Sequence, residues 1–379
     1  MGGFDSTGSP LKQGFDRFLG VTSQWVAHSH YPPFIQDNGV KIPLDNGPDG
    51  VPGHGVFPAD ADPQDPKAYA PFIGKDFLSE RTIKGAEAFI AAHKSKPFFL
   101  YYASPLPHVA LQVPAEELTQ YEGVIKEDAP YAPQKGGYSP NRTPRTTYAA
   151  MISRLDKEVG RILAALEQAG VADNTIIVFS GDNGATHDAG GADTKYFTSS
   201  GGLRGAKGSL HEGGLREPTV VRWPAGIKAG TRSNRISGFE DWLFTFSELA
   251  GVKLERTADI ASESLVPTFK GTDAPRTAPL YREFPSYGSQ QAIWDGKWKA
   301  IRTDMTKAVK AKEPIVTQLY DLDADPNETT NLAAKFPEVV KELEAKMTAA
   351  RVPNLEFPLP GVDPMPANAG KGKKKAAAK

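Results

Sequence analysis

Three short stretches bring together residue types that do chemistry. In Ser180-Gly181-Asp182-Asn183-Gly184 an anionic carboxylate stands next to a neutral amide oxygen. Hard cations such as Ca²⁺ or Mg²⁺ take oxygen ligands of this mixed kind, while D-N-G is also a common turn signal. Two ligands do not complete a metal site, so that reading requires further carboxylates from elsewhere. Residues 199–217 read SSGGLRGAKGSLHEGGLRE, with six glycines between Gly201 and Gly214 and the cations Arg204, Lys207 and Arg216 among them. Glycines let backbone amides approach a ligand closely, and the cations complete a surface for sulfate or phosphate. The same composition also describes a flexible surface loop, and the P-loop pattern G-x-x-x-x-G-K-[ST] is absent. His108 closes the run Ser104-Pro105-Leu106-Pro107-His108. An imidazole titrates near neutrality and can protonate a leaving oxygen, although a lone His in a Pro-rich loop is more often structural. An acid, a cation and metal ligands at the ends of three apolar runs are the ingredients of ester hydrolysis at an anionic group.

Several other chemistries are excluded. With no Cys in 379 residues there is no disulfide, thiolate metal site or cysteine nucleophile. No G-x-S-x-G elbow is present, and Asp45 to Val56 fails the calcium-loop pattern because its third position is Gly47 and its twelfth is Val56. Forty-four basic against 45 acidic residues give a net charge of −1, which argues against a nucleic-acid partner. No apolar run approaches the length of a transmembrane segment. The opening MGGFDSTGSPLKQGFD has no basic stretch followed by an apolar one, and the fit of Met1, Gly2 and Ser6 to a myristoylation pattern is treated as coincidence. Asn141 and Asn327 sit in N-x-T sequons, which matter only in a glycosylating compartment.

The elements that must position these residues read as an alternation of helix and strand. Residues 1–75 hold 21 Gly or Pro and no sustained period, an unusual opening for a compact domain. The spacing then predicts a helix over 77–94, a buried strand over Pro97–Ala103, and a long helix whose apolar stripe Ile152, Leu155, Val159, Ile162, Leu163 and Leu166 ends at Gly170. A β-rich run, Thr175–Ser180, follows as expected of a buried parallel strand, then a strand over 218–223 and a helix over 239–250. The predicted class is α/β, with a mostly parallel sheet flanked by helices over residues 1–278. Short strands at close spacing (PLYREF, QAIWD, KWKAIR, TQLYDL) and a final helix predict a small antiparallel C-terminal α+β subdomain over 279–352. Residues 353–379 form a Pro/Lys-rich tail whose last 13 residues carry five Lys and no acid, the composition of a solvated tail. Trp25, His28, His30 and Tyr31 either line a pocket as sugar-stacking or sulfate-contacting groups or belong to core and rim.

Taken together, RLDKEVGRILAALEQAGVADNTIIVFSGDNG (Arg154 to Gly184), LRGAKGSLHEGGLREPTVVRWPAGIKAG (Leu203 to Gly230) and LYDLDADPNETTNLA (Leu319 to Ala333) resemble the sulfatase family of the alkaline-phosphatase-like superfamily, the arylsulfatase type in particular. KQGFDRFLG and FFLYYASPLPH look like this family too, and the resemblance runs from about Gly3 to Met347. It implies that Asp182 and Asn183 are calcium ligands, that Lys207 binds the sulfate and polarises the leaving oxygen, and that His108 hydrogen-bonds the sulfate and serves as general acid. The implied substrate is a sulfated small molecule or glycan. The implied nucleophile is a hydrated formylglycine made from Cys or Ser, which attacks sulfur and later expels sulfate. Neither the maturation motif for that residue nor the family's usual D-D metal pair has a counterpart here, and Ser139-Pro-Asn-Arg142 has the wrong spacing. The expectation is therefore a sulfatase chain truncated at its N-terminus, from a family commonly periplasmic or extracellular. Two alternatives stay open: a catalytically inactive remnant that binds sulfated ligands, and a phosphoesterase of the same superfamily, which would call for Zn²⁺ or Mn²⁺ and several His.

Overall fold

The computed structural model describes residues 7–255, 261–272, 274–354 and 356–364. The Lys-rich tail and the N-terminal pattern ending at Ser6 lie outside the described residues. The chain divides into two compact units. The first comprises the residues up to Thr175 together with Thr186–Phe197, and the second comprises Ile176–Ala185 together with the residues from Thr198 onward.

The first unit is organised by the helix Pro144–Gln168, which begins on a proline that needs no backbone donor and stops at Gly170, whose φ of +71° only glycine adopts without strain. It packs on the helix Leu78–His93, the second helix that the apolar spacing predicts. The long helix supplies Tyr148 and Met151, and the residue capping the second helix supplies Phe77, to a core in which Tyr31, Leu106, Val109 and Leu111 are also buried. Each such side chain taken from water stabilises the unit by about 1.5–3 kcal/mol. The polar seam between the helices is laced by ion pairs: Arg154 reaches Glu80 at 2.6 Å and Glu117 at 3.2 Å, and Arg161 reaches Glu80 at 2.8 Å and Glu87 at 2.7 Å.

Two features of this unit depart from the sequence reading. Residues 19–43, expected to be loop, form a small antiparallel sheet of β1 (Leu19–Gly20), β2 (Phe34–Asp37) and β3 (Val40–Pro43). The β2–β3 hairpin turns on Asn38-Gly39, both at positive φ, and this Asn-Gly pair was the local signal for it. Conversely, Pro97–Ala103 is not a buried strand. No strand pairs with it among the described residues, and its exposure alternates, with Phe99 and Tyr101 60% and 70% exposed. A wholly apolar run needs cover on both faces to be interior, and here only the face of Phe98, Leu100 and Tyr102 is partly covered.

The second unit holds two sheets. β4 (Ile177–Ser180) pairs with β5 (Thr219–Arg222), Ser180 facing Thr219. This pair is antiparallel, as is every strand pair among the described residues, so the parallel ladder expected for β4 is not found among them. The second edge of β4 has no partner strand there, and Phe179 on β4 is half exposed. The C-terminal strands follow expectation: β6 (Leu280–Phe284), β7 (Gln290–Asp295), β8 (Trp298–Arg302) and β9 (Gln318–Asp321) form an antiparallel meander. The helix Pro337–Ala350 covers it, packing Leu343 and Met347 on Ile293, Ala300 and Leu319.

On the other face of this meander the fully buried Lys299 of β8 stands 2.9 Å from the carboxylates of both Glu212 and Glu328. Glu212 also accepts from Trp294 Nε1 at 2.7 Å and Glu328 from the backbone amide of Glu212 at 2.7 Å. Burial alone would raise both acids, but the charge of Lys299 and the hydrogen bonds outweigh it and hold both below their ordinary range. Replacing Lys299 by Met takes from two buried carboxylates the cation they share and is expected to cost the second unit about 3–5 kcal/mol, read as a lowered urea midpoint.

Candidate active site

In the second unit, the residues singled out by the sequence converge on one loop cluster. Asp182 and Asn183 follow β4 directly. The Gly184 amide donates to Gly214 O at 2.9 Å, and the Lys207 amide donates to Ala185 O at 2.8 Å, so the Asp-Asn turn and the glycine-rich loop are tied backbone to backbone. A Cβ on Gly184 would lie 2.0 Å from Gly213 O, which explains why glycine is required there. Lys207 is half-buried, and among the described residues its side chain has neither ion pair nor hydrogen bond. The two other loop cations have different employment from that expected. Arg204 donates to Tyr320 Oη and to Glu328 O, both at 2.9 Å, and Arg216 pairs with Glu212 at 2.6 Å, so both guanidiniums build the loop and do not complete an oxyanion surface.

The loop is held from behind by the C-terminal sheet. Gln290 of β7 accepts from the Leu210 amide at 3.0 Å and donates to Gly208 O at 2.7 Å, gripping the chain just past Lys207. His211 Nδ1 lies 3.0 Å from Glu328. None of Gln290, Lys299, Glu328 or Trp294 stands out in local sequence, because their roles depend on partners 80 or more residues away.

Beside Asp182 lies Glu217, whose carboxyl is pushed up by burial and by the charge of Asp182. Two oxygen donors next to a second, repelled carboxylate fit a hard cation, since a bound cation would relieve that repulsion. Among the described residues no cluster of three or more His, Asp or Glu is arranged to hold a metal, so Asp182 and Asn183 offer only part of a shell.

His108 belongs to the first unit. It is carried by the segment after Ala103, which Glu158 of the long helix anchors by accepting from Tyr102 Oη at 2.9 Å and Ser104 Oγ at 3.0 Å. The His108 carbonyl accepts from His30 Nε2 at 2.8 Å. His108 Nδ1 is bonded to the Val109 carbonyl, which can only accept, so Nδ1 carries a proton. Its ring stacks on that of His28, centroids 5.0 Å apart and 10° from parallel. Of the four residues left between pocket and core, His30 and Tyr31 are core, whereas Trp25 is 70% exposed.

The Sulfatase family description matches residues 2–252, more than half of the chain, and that of N-sulphoglucosamine sulphohydrolase, C-terminal, matches residues 206–353. The chain belongs to the sulfatase family. It is 30% identical over 277 residues to an N-acetylgalactosamine-6-O-sulfatase of Bacteroides thetaiotaomicron, covering 70% of this chain and 49% of that protein. With Arylsulfatase J of Mus musculus it shares 24% identity over 394 residues, 94% of this chain and 59% of the relative. This sulfatase chain thus spans about half to three-fifths of the length of these relatives. Ps i-CgsB in complex with k-i-k-neocarrahexaose has the same fold, with a TM-score of 0.68 at 22% identity over 91% of this chain and 69% of that one. The α/β, alkaline-phosphatase-like class expected from the sequence is therefore the class of the family. No described helix of this sulfatase is long and apolar enough to cross a membrane.

Burial gives one of its histidines a pH signature. Fully buried His30 is lowered from 6.5 to about 4, chiefly by desolvation. Between those values the unfolded chain takes up a proton that the folded chain refuses, so this contribution is intact above pH 6.5 and is lost as pH falls toward 4, by about 3 kcal/mol in all. His30→Gln should flatten that part of the stability curve, as measured by urea denaturation between pH 4 and 7.

Proposed function

We propose that this chain acts in the hydrolysis of a sulfate ester carried by a small molecule or glycan, with a saccharide as the favoured alcohol. The observation that carries the reading is Lys207: a half-buried ammonium with no anionic partner among the described residues, on a glycine-rich loop braced from behind. A desolvated cation of this kind gains most from an oxyanion, and the family membership names sulfate as that anion. The Bacteroides relative is named for a 6-O-sulfated amino sugar, and the Ps i-CgsB structure holds an oligosaccharide, which supports a saccharide.

In this reading Lys207 Nζ binds a sulfate oxygen and draws off charge as the ester S–O bond breaks. His108, in its imidazolium form, donates its Nε2 proton to the departing alcohol oxygen, while the Val109 carbonyl keeps Nδ1 occupied and the ring oriented. Asp182 and Asn183 are assigned to a calcium ion, which when bound would supply positive charge to sulfate oxygens. No nucleophile is assigned among these residues; in the family that role falls to a formylglycine.

The test is inorganic sulfate titrated into the full chain by calorimetry, alongside release of sulfate from 4-nitrophenyl sulfate and from sulfated sugars. Lys207→Ala should weaken sulfate binding by about tenfold or more, the worth of one charge-assisted hydrogen bond. Unchanged sulfate affinity in that variant would remove Lys207 from the site and with it the basis of the reading.

A further inference from the structure

Asp182 and Asn183 leave a cation short of ligands, and the chain that runs beside them brings a further oxygen donor. The β4–β5 register sets Ser180 opposite Thr219, their hydroxyls 3.0 Å apart. Past the end of the ladder the two chains stay side by side, since the Gly184 amide donates to Gly214 O at 2.9 Å. Between these two ties, the same register carried past Ser180 sets Asp182 across from Glu217. Residues opposite one another in an antiparallel pair turn their side chains to the same face. A Cβ added to Gly181 would collide with Glu217 Oε2, so the Glu217 carboxylate lies against the backbone just ahead of Asp182.

The side chains at this spot hold oxygens that no protein donor meets. Glu217 is half-buried, and among the described residues neither it nor Asp182 has an ion pair or a hydrogen bond. Asn183 turns its amide nitrogen to Gly184 O, at 3.4 Å, which leaves Oδ1 without a donor there. Arg216, the cation next to Glu217 in sequence, is engaged with Glu212 at 2.6 Å. Like charges facing each other across two chains destabilise the pairing, and a partly desolvated carboxylate adds to that cost. A divalent cation turns the same arrangement from repulsive to attractive, and a hard one takes carboxylate and amide oxygens together.

We propose that Glu217 is a further ligand of the cation assigned to Asp182 and Asn183, supplying a second carboxylate from this chain; the proposal rests on the calcium assignment above. The sequence resemblance marks Asp182 and Asn183 but not Glu217, which comes after the glycine-rich loop and meets Asp182 only through the pairing of β4 with β5. Glu217 closes the loop that carries Lys207. Its ligation therefore ties the end of that loop to the turn after β4, and the cation acts as a clasp between them.

The experiment is calcium titrated by calorimetry into the full chain, stripped of metal with a chelator, up to millimolar concentration. Thermal unfolding is recorded beside it, in chelator and in calcium. Glu217→Gln removes the charge and keeps the shape. It should weaken calcium binding by about tenfold or more and remove most of the calcium-dependent rise in unfolding midpoint. In chelator it should unfold no lower than the wild type, because the repulsion between the two carboxylates is gone. Asp182→Asn marks the site itself and should lose calcium at least as severely. Unchanged calcium affinity in Glu217→Gln, with Asp182→Asn impaired, would overturn the role of Glu217 and leave the site standing. A midpoint lowered in chelator would make Glu217 a structural residue and overturn the proposal as well. Failure of the underlying assignment looks different: the wild type takes up no calcium, or Asp182→Asn binds it as tightly as the wild type, and Glu217 falls with the site.

Discussion

A single buried ammonium organises the second unit. Lys299 comes from an interior strand of the sheet, where a charge is least welcome, and it is tolerable because two carboxylates meet it. Glu212 reaches it from the glycine-rich loop and Glu328 from the turn after β9. The two acids share the lysine, and Arg216 on Glu212 and His211 on Glu328 complete their surroundings. The cluster therefore fastens to the sheet a loop that is too rich in glycine to hold a shape of its own. That loop carries Lys207, so the position of a cation able to meet sulfate depends on a second cation that never does.

The first unit solves the corresponding problem with a carboxylate. Glu158 on the long helix takes the hydroxyls of Tyr102 and Ser104, while neutral His30 holds the carbonyl of His108. His108 is thus presented by a histidine that burial keeps from protonating. Burial keeps the His30 imidazole neutral, and that ring is spent on architecture, its Nε2 held to the backbone carbonyl of His108.

How much of this could be read in advance divides along physical lines. The 144–168 helix, the C-terminal meander and the glycine stops at 170 and 251 follow from periodicity and backbone freedom, which are local properties. Asp182, Asn183 and Lys207 were marked by residue type, and the structure ties their loops together through the amides of Gly184 and Lys207. What local pattern could not reveal was which cations were already engaged. Arg204 and Arg216 look like Lys207 in sequence, but their partners, Tyr320, Glu328 and Glu212, are set by tertiary folding. The run Pro97–Ala103 failed for the related reason that an apolar strand is interior only if something pairs beside it.

Gln290 has a further consequence. Its side-chain amide holds Gly208 O and Leu210 N at once, the two points that a neighbouring strand would otherwise bond. The spacing between them is set by one amide group, so the length of this segment is quantised: one inserted or deleted residue cannot leave both bonds in place. Between 207 and 211 this chain therefore tolerates a change of residue type more readily than a change of length.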